Sequence, residues 1–257
     1  MRTLFKMRVI KIGGSAVTHK KEPLKAYDDV IKRIGEEVRP AYPNLILTHG
    51  TGSYGHPLVL KQNLHITIEG SEKILGISNV KYWVNELTQK IFRSLVDAGI
   101  PTFPFHPSSF IILENDTIKD IFLEPIERFL KFGVVPLIPA DGPFDRVKGM
   151  PRIASGDYLS YYLARHFKAE EVIFTLDVDG LYYRDQLIRN MKKSELEDII
   201  EKVETEIDAT GGMRGKLYWV LKILNEKIPV TFLNLTTPGR LKDYLSGKEV
   251  IRTRFIP

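Results

Sequence analysis

The run Thr48-His49-Gly50-Thr51-Gly52-Ser53-Tyr54-Gly55-His56-Pro57 follows a short apolar segment, Asn44-Leu45-Ile46-Leu47, that reads as a buried strand. Gly50, Gly52 and Gly55 fall within six positions of one another. Glycine lets the backbone enter positive φ and lets main-chain N–H groups approach a ligand with no Cβ in the way. Several such N–H groups just past a strand form an anion-binding concavity. The stretch ends in His56, a side chain able to carry a positive charge near neutral pH. It reads as a phosphate cradle with a histidine at its rim. Taken alone, it fits a surface loop with an incidental histidine equally well, so the decision passes to the rest of the chain.

Working outward, the same grammar recurs. Met7-Arg8-Val9-Ile10-Lys11-Ile12 alternates and is β-branched, which predicts a strand. It runs into Gly13-Gly14-Ser15, a second glycine turn flanked by Lys11 and Lys20. Neither the P-loop pattern nor the dinucleotide-binding glycine pattern is present. Residues 26–38 are helical in period, with Val30, Ile31, Ile34 and Val38 on one face. Residues 74–98 predict one long helix or two, with an apolar stripe of Val80, Trp83, Val84, Leu87, Ile91, Leu95 and Val96. That stripe reads as core, its first turns also being placed to wall an apolar pocket.

Further on, residues 100–105 predict a strand and residues 110–122 a hairpin turning at Glu114-Asn115-Asp116. A short helix over 125–131, a strand over 133–138 and a polar loop over 145–151 follow. Ala154-Ser155-Gly156-Asp157 opens a helix, with Ser155 or Asp157 as its cap and free N–H groups that favour an anion. Residues 171–176 predict a strand ending in Asp177-Val178-Asp179-Gly180, which suits a turn, a metal–phosphate contact or a ribose contact. A helix over 194–203 comes next. Asp208-Ala209-Thr210-Gly211-Gly212-Met213-Arg214-Gly215-Lys216 is a third glycine-rich turn, opening a helix over 217–226. A strand over 230–233, a short helix over 241–245 and a strand over 250–254 complete the chain.

Strands alternating with helices predict an α/β fold: a three-layer αβα sandwich around a mostly parallel sheet. In such sheets ligands bind beyond the carboxyl ends of the strands, where these glycine segments fall. A chain of 257 residues with 43% hydrophobic and 27% charged residues supports one large domain. It contains no cysteine, which excludes disulfides, thiolate nucleophiles and cysteine-ligated metals. No apolar run is long enough to span a bilayer, and the start is too short in apolar residues for a secretory signal. The chain reads as soluble and cytoplasmic. The net charge of +5 is spread rather than concentrated, which favours anionic small molecules over nucleic acid.

Together these segments resemble the amino acid kinase superfamily over nearly the whole chain, and within it the isopentenyl phosphate kinase family. The segments are Lys11-Ile12-Gly13-Gly14-Ser15, the loop 50–56, Ser155-Gly156-Asp157, Asp177-Val178-Asp179-Gly180 and residues 208–216. The loop ending in His56 is the specific one; acetylglutamate, aspartate and uridylate kinases lack that histidine, and the related fosfomycin kinase carries it.

The resemblance implies one amino acid kinase domain, with residues 1–150 binding the acceptor and dimerising and residues 151–257 binding nucleotide. It implies ATP-dependent conversion of isopentenyl phosphate to isopentenyl diphosphate in isoprenoid synthesis, with Mg²⁺ held by phosphate oxygens and water and no protein metal ligands. A homodimer is expected, and neither nucleic acid nor membrane as a partner. Catalytic roles fall to Lys11, Lys20 and His56. Nucleotide contacts fall to Lys11, Gly13, Gly14, Ser15, Gly52, Asp177, Tyr182, Gly212 and Lys216. Acceptor contacts fall to Thr51, Gly52, Gly55, His56 and Gly156. The rivals are a kinase for another small phosphate or phosphonate such as fosfomycin, and a nucleotide-binding sensor without turnover. Four positions depart from the family pattern: Thr51 in the loop's middle, His19 before Lys20, Leu176 before Asp177, and Lys81 where some members carry histidine.

Overall fold

A computed structural model describes residues 7–64, 70–200 and 212–257. In chain order the strands are β1 (Arg8–Ile12), β2 (Leu45–His49), β3 (Thr102–Pro104), β4 (Ile111–Glu114), β5 (Thr117–Ile121), β6 (Val135–Pro139) and β7 (Phe144–Asp145). They continue with β8 (Met150–Pro151), β9 (Glu171–Leu176), β10 (Tyr182–Tyr183), β11 (Gln186–Leu187), β12 (Asn190–Lys192), β13 (Val230–Asn234) and β14 (Thr253–Ile256). The helices are α1 (Gly14–Val17), α2 (Asp28–Val38), α3 (His56–Lys61), α4 (Ser71–Asp97), α5 (Glu124–Lys131), α6 (Gly156–His166), α7 (Lys193–Ile199), α8 (Gly212–Asn225) and α9 (Arg240–Leu245).

The central sheet runs β12-β14-β13-β9-β1-β2-β6-β3. Its pairs are parallel except β13–β14. Side chains alternate across a strand, so each buried strand feeds two cores. Val9, Ile46, Val172 and Phe174 point to the face covered by Leu159 and Leu163 of α6 and Leu217, Val220 and Ile223 of α8. Ile10, Leu45, Leu47 and Ile173 point to the opposite face, covered by Val30, Ile31 and Ile34 of α2 and Leu87, Ile91 and Leu95 of α4. This is the expected αβα arrangement. A second sheet, β5-β4-β7-β8, stands apart from the first. No helix of the described residues is long and apolar enough to cross a membrane.

Three local expectations change. The polar segment 145–151 is a small hairpin, β7–β8, because Asp145 is buried and accepts from the N–H groups of Asp116, Val147 and Lys148. A fully buried carboxylate that satisfies three backbone donors organises a turn that looks merely hydrophilic in sequence. Helix α8 begins at Gly212, not after Lys216, so Gly212 to Lys216 are helical. Residues 208–211 of that glycine segment, and 201–203 of the expected helix before it, lie outside the described residues. Trp83 packs against the core under α4, and Val96 from the same stripe is 46% exposed.

Candidate active site

The first two glycine turns meet. A Cβ on Gly14 would stand 2.5 Å from the backbone nitrogen of Gly52, so the β1 and β2 turns touch through main chain alone. Gly52 has φ +49°, and a Cβ there would fall 2.1 Å from Thr18 Oγ1. Both positions therefore require glycine, one for close approach and one also for its left-handed conformation. Thr18 fastens the junction: its hydroxyl donates to the Gly14 carbonyl at 2.8 Å and accepts from Ser53 N–H at 2.9 Å. On the other side, Thr175 Oγ1 donates to the Lys11 carbonyl at 3.1 Å and accepts from Gly13 N–H at 3.2 Å. The carboxyl ends of β1, β2 and β9 thus form one framework.

Lys11 projects from the end of β1 into that framework. Its ammonium lies 3.0 Å from Asp157 Oδ1, and Lys216 from α8 donates to Asp157 Oδ2 at 2.8 Å. The Lys11 contact is one of charge without an aligned hydrogen bond to Oδ1. Two ammonium groups share one carboxylate, so the cluster keeps a surplus positive charge. Burial pulls Lys11 down to about 8; Asp157 opposes that shift and the neighbouring Lys216 charge adds to it. Burial would raise the Asp157 carboxyl, but the two lysines overcome it and hold the group well below the usual carboxylate range. Ser155 caps α6 by accepting from Tyr158 N–H, which fixes the turn carrying Gly156 and Asp157. A Cβ on Gly156 would stand 3.2 Å from Lys11 Cε, so this helix end approaches the lysine closely.

A second cation–carboxylate group lies at the end of β9. Asp177 accepts from Ser15 Oγ at 2.9 Å and pairs with Lys20 Nζ at 3.0 Å. Burial works against its ionised form, but Lys20 and Ser15 hold it below the usual range. Asp179 turns away and is tied to Asn234 and Arg240. Tyr182 stays exposed on β10, and Gly212 opens α8 one turn before Lys216.

Beyond the β2 turn lies a cavity of about 700 Å³ with a mostly apolar lining. Thr51, Gly55 and His56 form one end, and Val59, Leu64, Ile77 and Val84 contribute apolar wall. His56 is the first residue of α3, where Pro57 fixes the helix start. A Cβ on Gly55 would stand 2.5 Å from the Thr51 side chain, so the turn closes tightly against its own threonine. Lys11 Nζ lies 3.6 Å from where a Cβ on Gly50 would stand, which puts this ammonium beside the turn that leads into Thr51 at the cavity.

Three residues of this region take on partners that their sequence positions do not disclose. Asp157 reads in sequence as a helix cap, and only the fold brings it between two lysines. His49 is fully buried; its Nδ1 donates to the Gly50 carbonyl at 3.0 Å and its Nε2 faces Thr88 Oγ1 at 3.0 Å. Burial pushes His49 down to about 4. Its neutral ring thereby fixes the Gly50 carbonyl as an acceptor turned toward protein. Lys81 pairs with the buried Asp141 at 2.7 Å in the cavity wall.

A family model described as the amino acid kinase family matches residues 6–234. The isopentenyl phosphate kinase of Methanothermobacter thermautotrophicus is 31% identical, covering 96% of this chain and 98% of that one. That of Methanocaldococcus jannaschii is also 31% identical, covering 84% and 87%. Among solved structures, one described as X-ray structures of isopentenyl phosphate kinase is 27% identical, with a TM-score of 0.82 over 97% of this chain and 99% of that one. The touching glycine turns, the lysines gathered on Asp157 and these full-length likenesses agree: this chain belongs to the amino acid kinase family.

Proposed function

We propose that this protein transfers the γ-phosphoryl group of ATP to isopentenyl phosphate, giving isopentenyl diphosphate and ADP. The observation that carries the reading is the junction of an ammonium cluster with an apolar cavity across the His56 end. A phosphate in the glycine turns meets Lys11 and Lys216, while a hydrocarbon tail fits the wall formed by Ile77 and Val84. Two isopentenyl phosphate kinases of similar length support the same acceptor.

In this reading, an acceptor phosphate oxygen attacks the γ-phosphorus in line as the bond to the β-phosphate oxygen breaks. The acceptor is already an anion, so no strong general base is needed. Catalysis is then positioning and charge stabilisation. Lys11 and Lys216 face the charge on the group in flight, and Asp157 sits between them. Lys20 leaves its pairing with Asp177 to reach the same charge. Gly13, Gly14, Ser15 and Gly52 supply turn contacts to nucleotide phosphates, with Asp177, Tyr182 and Gly212 on the nucleotide side. Thr51, Gly55, Gly156 and His56 hold the acceptor phosphate. The carboxylates nearest the turns are already engaged by cations, which fits Mg²⁺ held through phosphate oxygens and water. When bound, the ion would neutralise phosphate charge.

The acceptor cavity draws its lining from residues 51–153, which supports an acceptor-binding first half and a nucleotide-binding second half. A homodimer finds support in two exposed aromatics, Phe103 on the edge strand β3 and Phe132 just after α5, 46% and 85% exposed.

The test is ADP release with isopentenyl phosphate, fosfomycin and other small acceptors. Isopentenyl phosphate is expected to give the highest kcat/KM. Higher turnover of fosfomycin, or ATP binding without ADP from any acceptor, overturns the proposal. His56→Ala is expected to lower kcat/KM for the acceptor by about 100-fold, the cost of losing a charge-assisted contact, with His56→Gln retaining part. Wild-type kinetics in His56→Ala would remove that residue from the acceptor site.

A further inference from the structure

The cavity has a polar wall that a hydrocarbon acceptor does not use. Along α4, Ser78, Lys81 and Asn85 recur at three- and four-residue steps and line the same space as Ile77 and Val84. Lys81 Nζ donates to Asp141 Oδ2 at 2.7 Å and to Ser108 Oγ at 3.2 Å. The Ser108 N–H donates to the same carboxylate oxygen at 2.9 Å. The Asp141 side chain is 5% exposed and that of Lys81 is 31% exposed, so the carboxylate is the buried footing of a lysine that lines the cavity. One turn along, the amide oxygen of Asn85 is buried without a hydrogen-bond partner. An amide presents oxygen or nitrogen by a half-turn of its last torsion.

This wall sets a condition on the acceptor tail. An olefin packed against Lys81 displaces water from an ammonium and returns no hydrogen bond, which is unfavourable. A cavity of about 700 Å³ also exceeds what a five-carbon phosphate fills, being of the size that holds a drug-sized ligand. A tail hydroxyl meets the polar condition, and the cavity has room for it. It accepts from the Lys81 ammonium and donates to an amide oxygen at Asn85, and residues four apart on a helix are close enough for one hydroxyl to lie between them.

We propose that Lys81, footed on Asp141 and flanked by Asn85, is a specificity-determining residue that opens the acceptor class to short branched alkyl monophosphates carrying a tail hydroxyl. The inference rests on the acceptor reading of this cavity. Transfer to such an acceptor forms and breaks the same bonds, and the tail hydroxyl is unchanged.

The experiment compares ADP release from ATP with isopentenyl phosphate and with 3-hydroxy-3-methylbutyl phosphate, its hydrate on the same carbon skeleton. The wild-type chain is expected to use the hydroxylated acceptor with kcat/KM within about tenfold of isopentenyl phosphate, one hydrogen bond to a charged group offsetting the lost apolar contact. Lys81→Met is expected to shift the ratio of the two kcat/KM values by about tenfold toward isopentenyl phosphate, chiefly through KM for the hydroxylated acceptor. Because Lys81→Met strands the Asp141 charge, Lys81→Met with Asp141→Asn is measured alongside, each after a melting curve. Isopentenyl phosphate turnover with a hydroxylated acceptor more than about 1,000-fold poorer overturns this inference alone. So does a loss in both variants that is equal for the two acceptors. ADP from neither acceptor overturns the underlying acceptor reading as well.

Discussion

Asp157 does its work by sitting between two like charges. Replacing it with Asn leaves Lys11 and Lys216 facing each other in a buried site, which favours loss of the Lys11 proton. With Lys11 down at about 8 in the free protein, its charged form is complete below that pH and is lost as pH rises through it. The kcat/KM for ATP is therefore expected to fall above about pH 8, because that parameter reports the free enzyme. Asp157→Asn should move this limb to lower pH and cut kcat by about 100-fold; a pH profile unchanged by the substitution would separate Asp157 from the lysines. His49 makes a second prediction, on stability. Its folded value of about 4 lies below the ordinary 6.5, so the unfolded chain binds the extra proton between them and stability is lost as pH falls through that window. The gap corresponds to on the order of 3 kcal/mol at full acid, and His49→Gln should flatten the dependence of the melting midpoint on pH between about 6.5 and 4. Lys11 could be suspected in sequence because it abuts a glycine turn. Asp157 and His49 could not, because burial and neighbours from distant strands set what they do.

At the scale of elements, the site depends on two turns pressed together at Gly14 and Gly52. Gly52→Ala adds a Cβ in a left-handed backbone and 2.1 Å from Thr18 Oγ1, so more than about 1 kcal/mol of stability should be lost. Chemical denaturation measures the loss, and KM for ATP should rise with it. The glycine turns are legible in the sequence, but that they touch depends on β1 and β2 being parallel neighbours. Helix α4 divides its face between core and cavity. Ile77 lines the cavity, whereas Trp83 packs against the core. Ile77→Ala should extend the usable prenyl chain, and Trp83→Ala should lower the melting midpoint without changing chain-length preference. Kinetics on a series of prenyl phosphates distinguishes the two. The apolar period of α4 marks all of these positions alike, since a helix pattern records which residues avoid water and not whether protein or ligand covers them.

At the scale of the molecule, the sheet ends at β3, where Phe103 is exposed, and Phe132 just after α5 is exposed as well. An apolar edge of this kind invites pairing with a second copy. Sedimentation is expected to give twice the chain mass of 29.4 kDa, and Phe132→Glu with Phe103→Glu should shift the population to monomer. A monomeric wild type would remove the dimer.

The α/β alternation, the positions of the glycine turns and the histidine that ends one of them are all readable from the chain as written. Those features are local: strand period, glycine tolerance and helix period are written in neighbouring residues. That Lys11 and Lys216, far apart in the chain, share one carboxylate follows from the folded arrangement. It likewise decided that Lys81 stands on Asp141 in a cavity wall. Charge pairing and cavity shape depend on which strands lie side by side and on how deeply each group is buried, and a linear pattern specifies neither. The loop ending in His56 is legible as a phosphate cradle; the fold adds the ammonium cluster beside its glycines and the apolar cavity at its histidine.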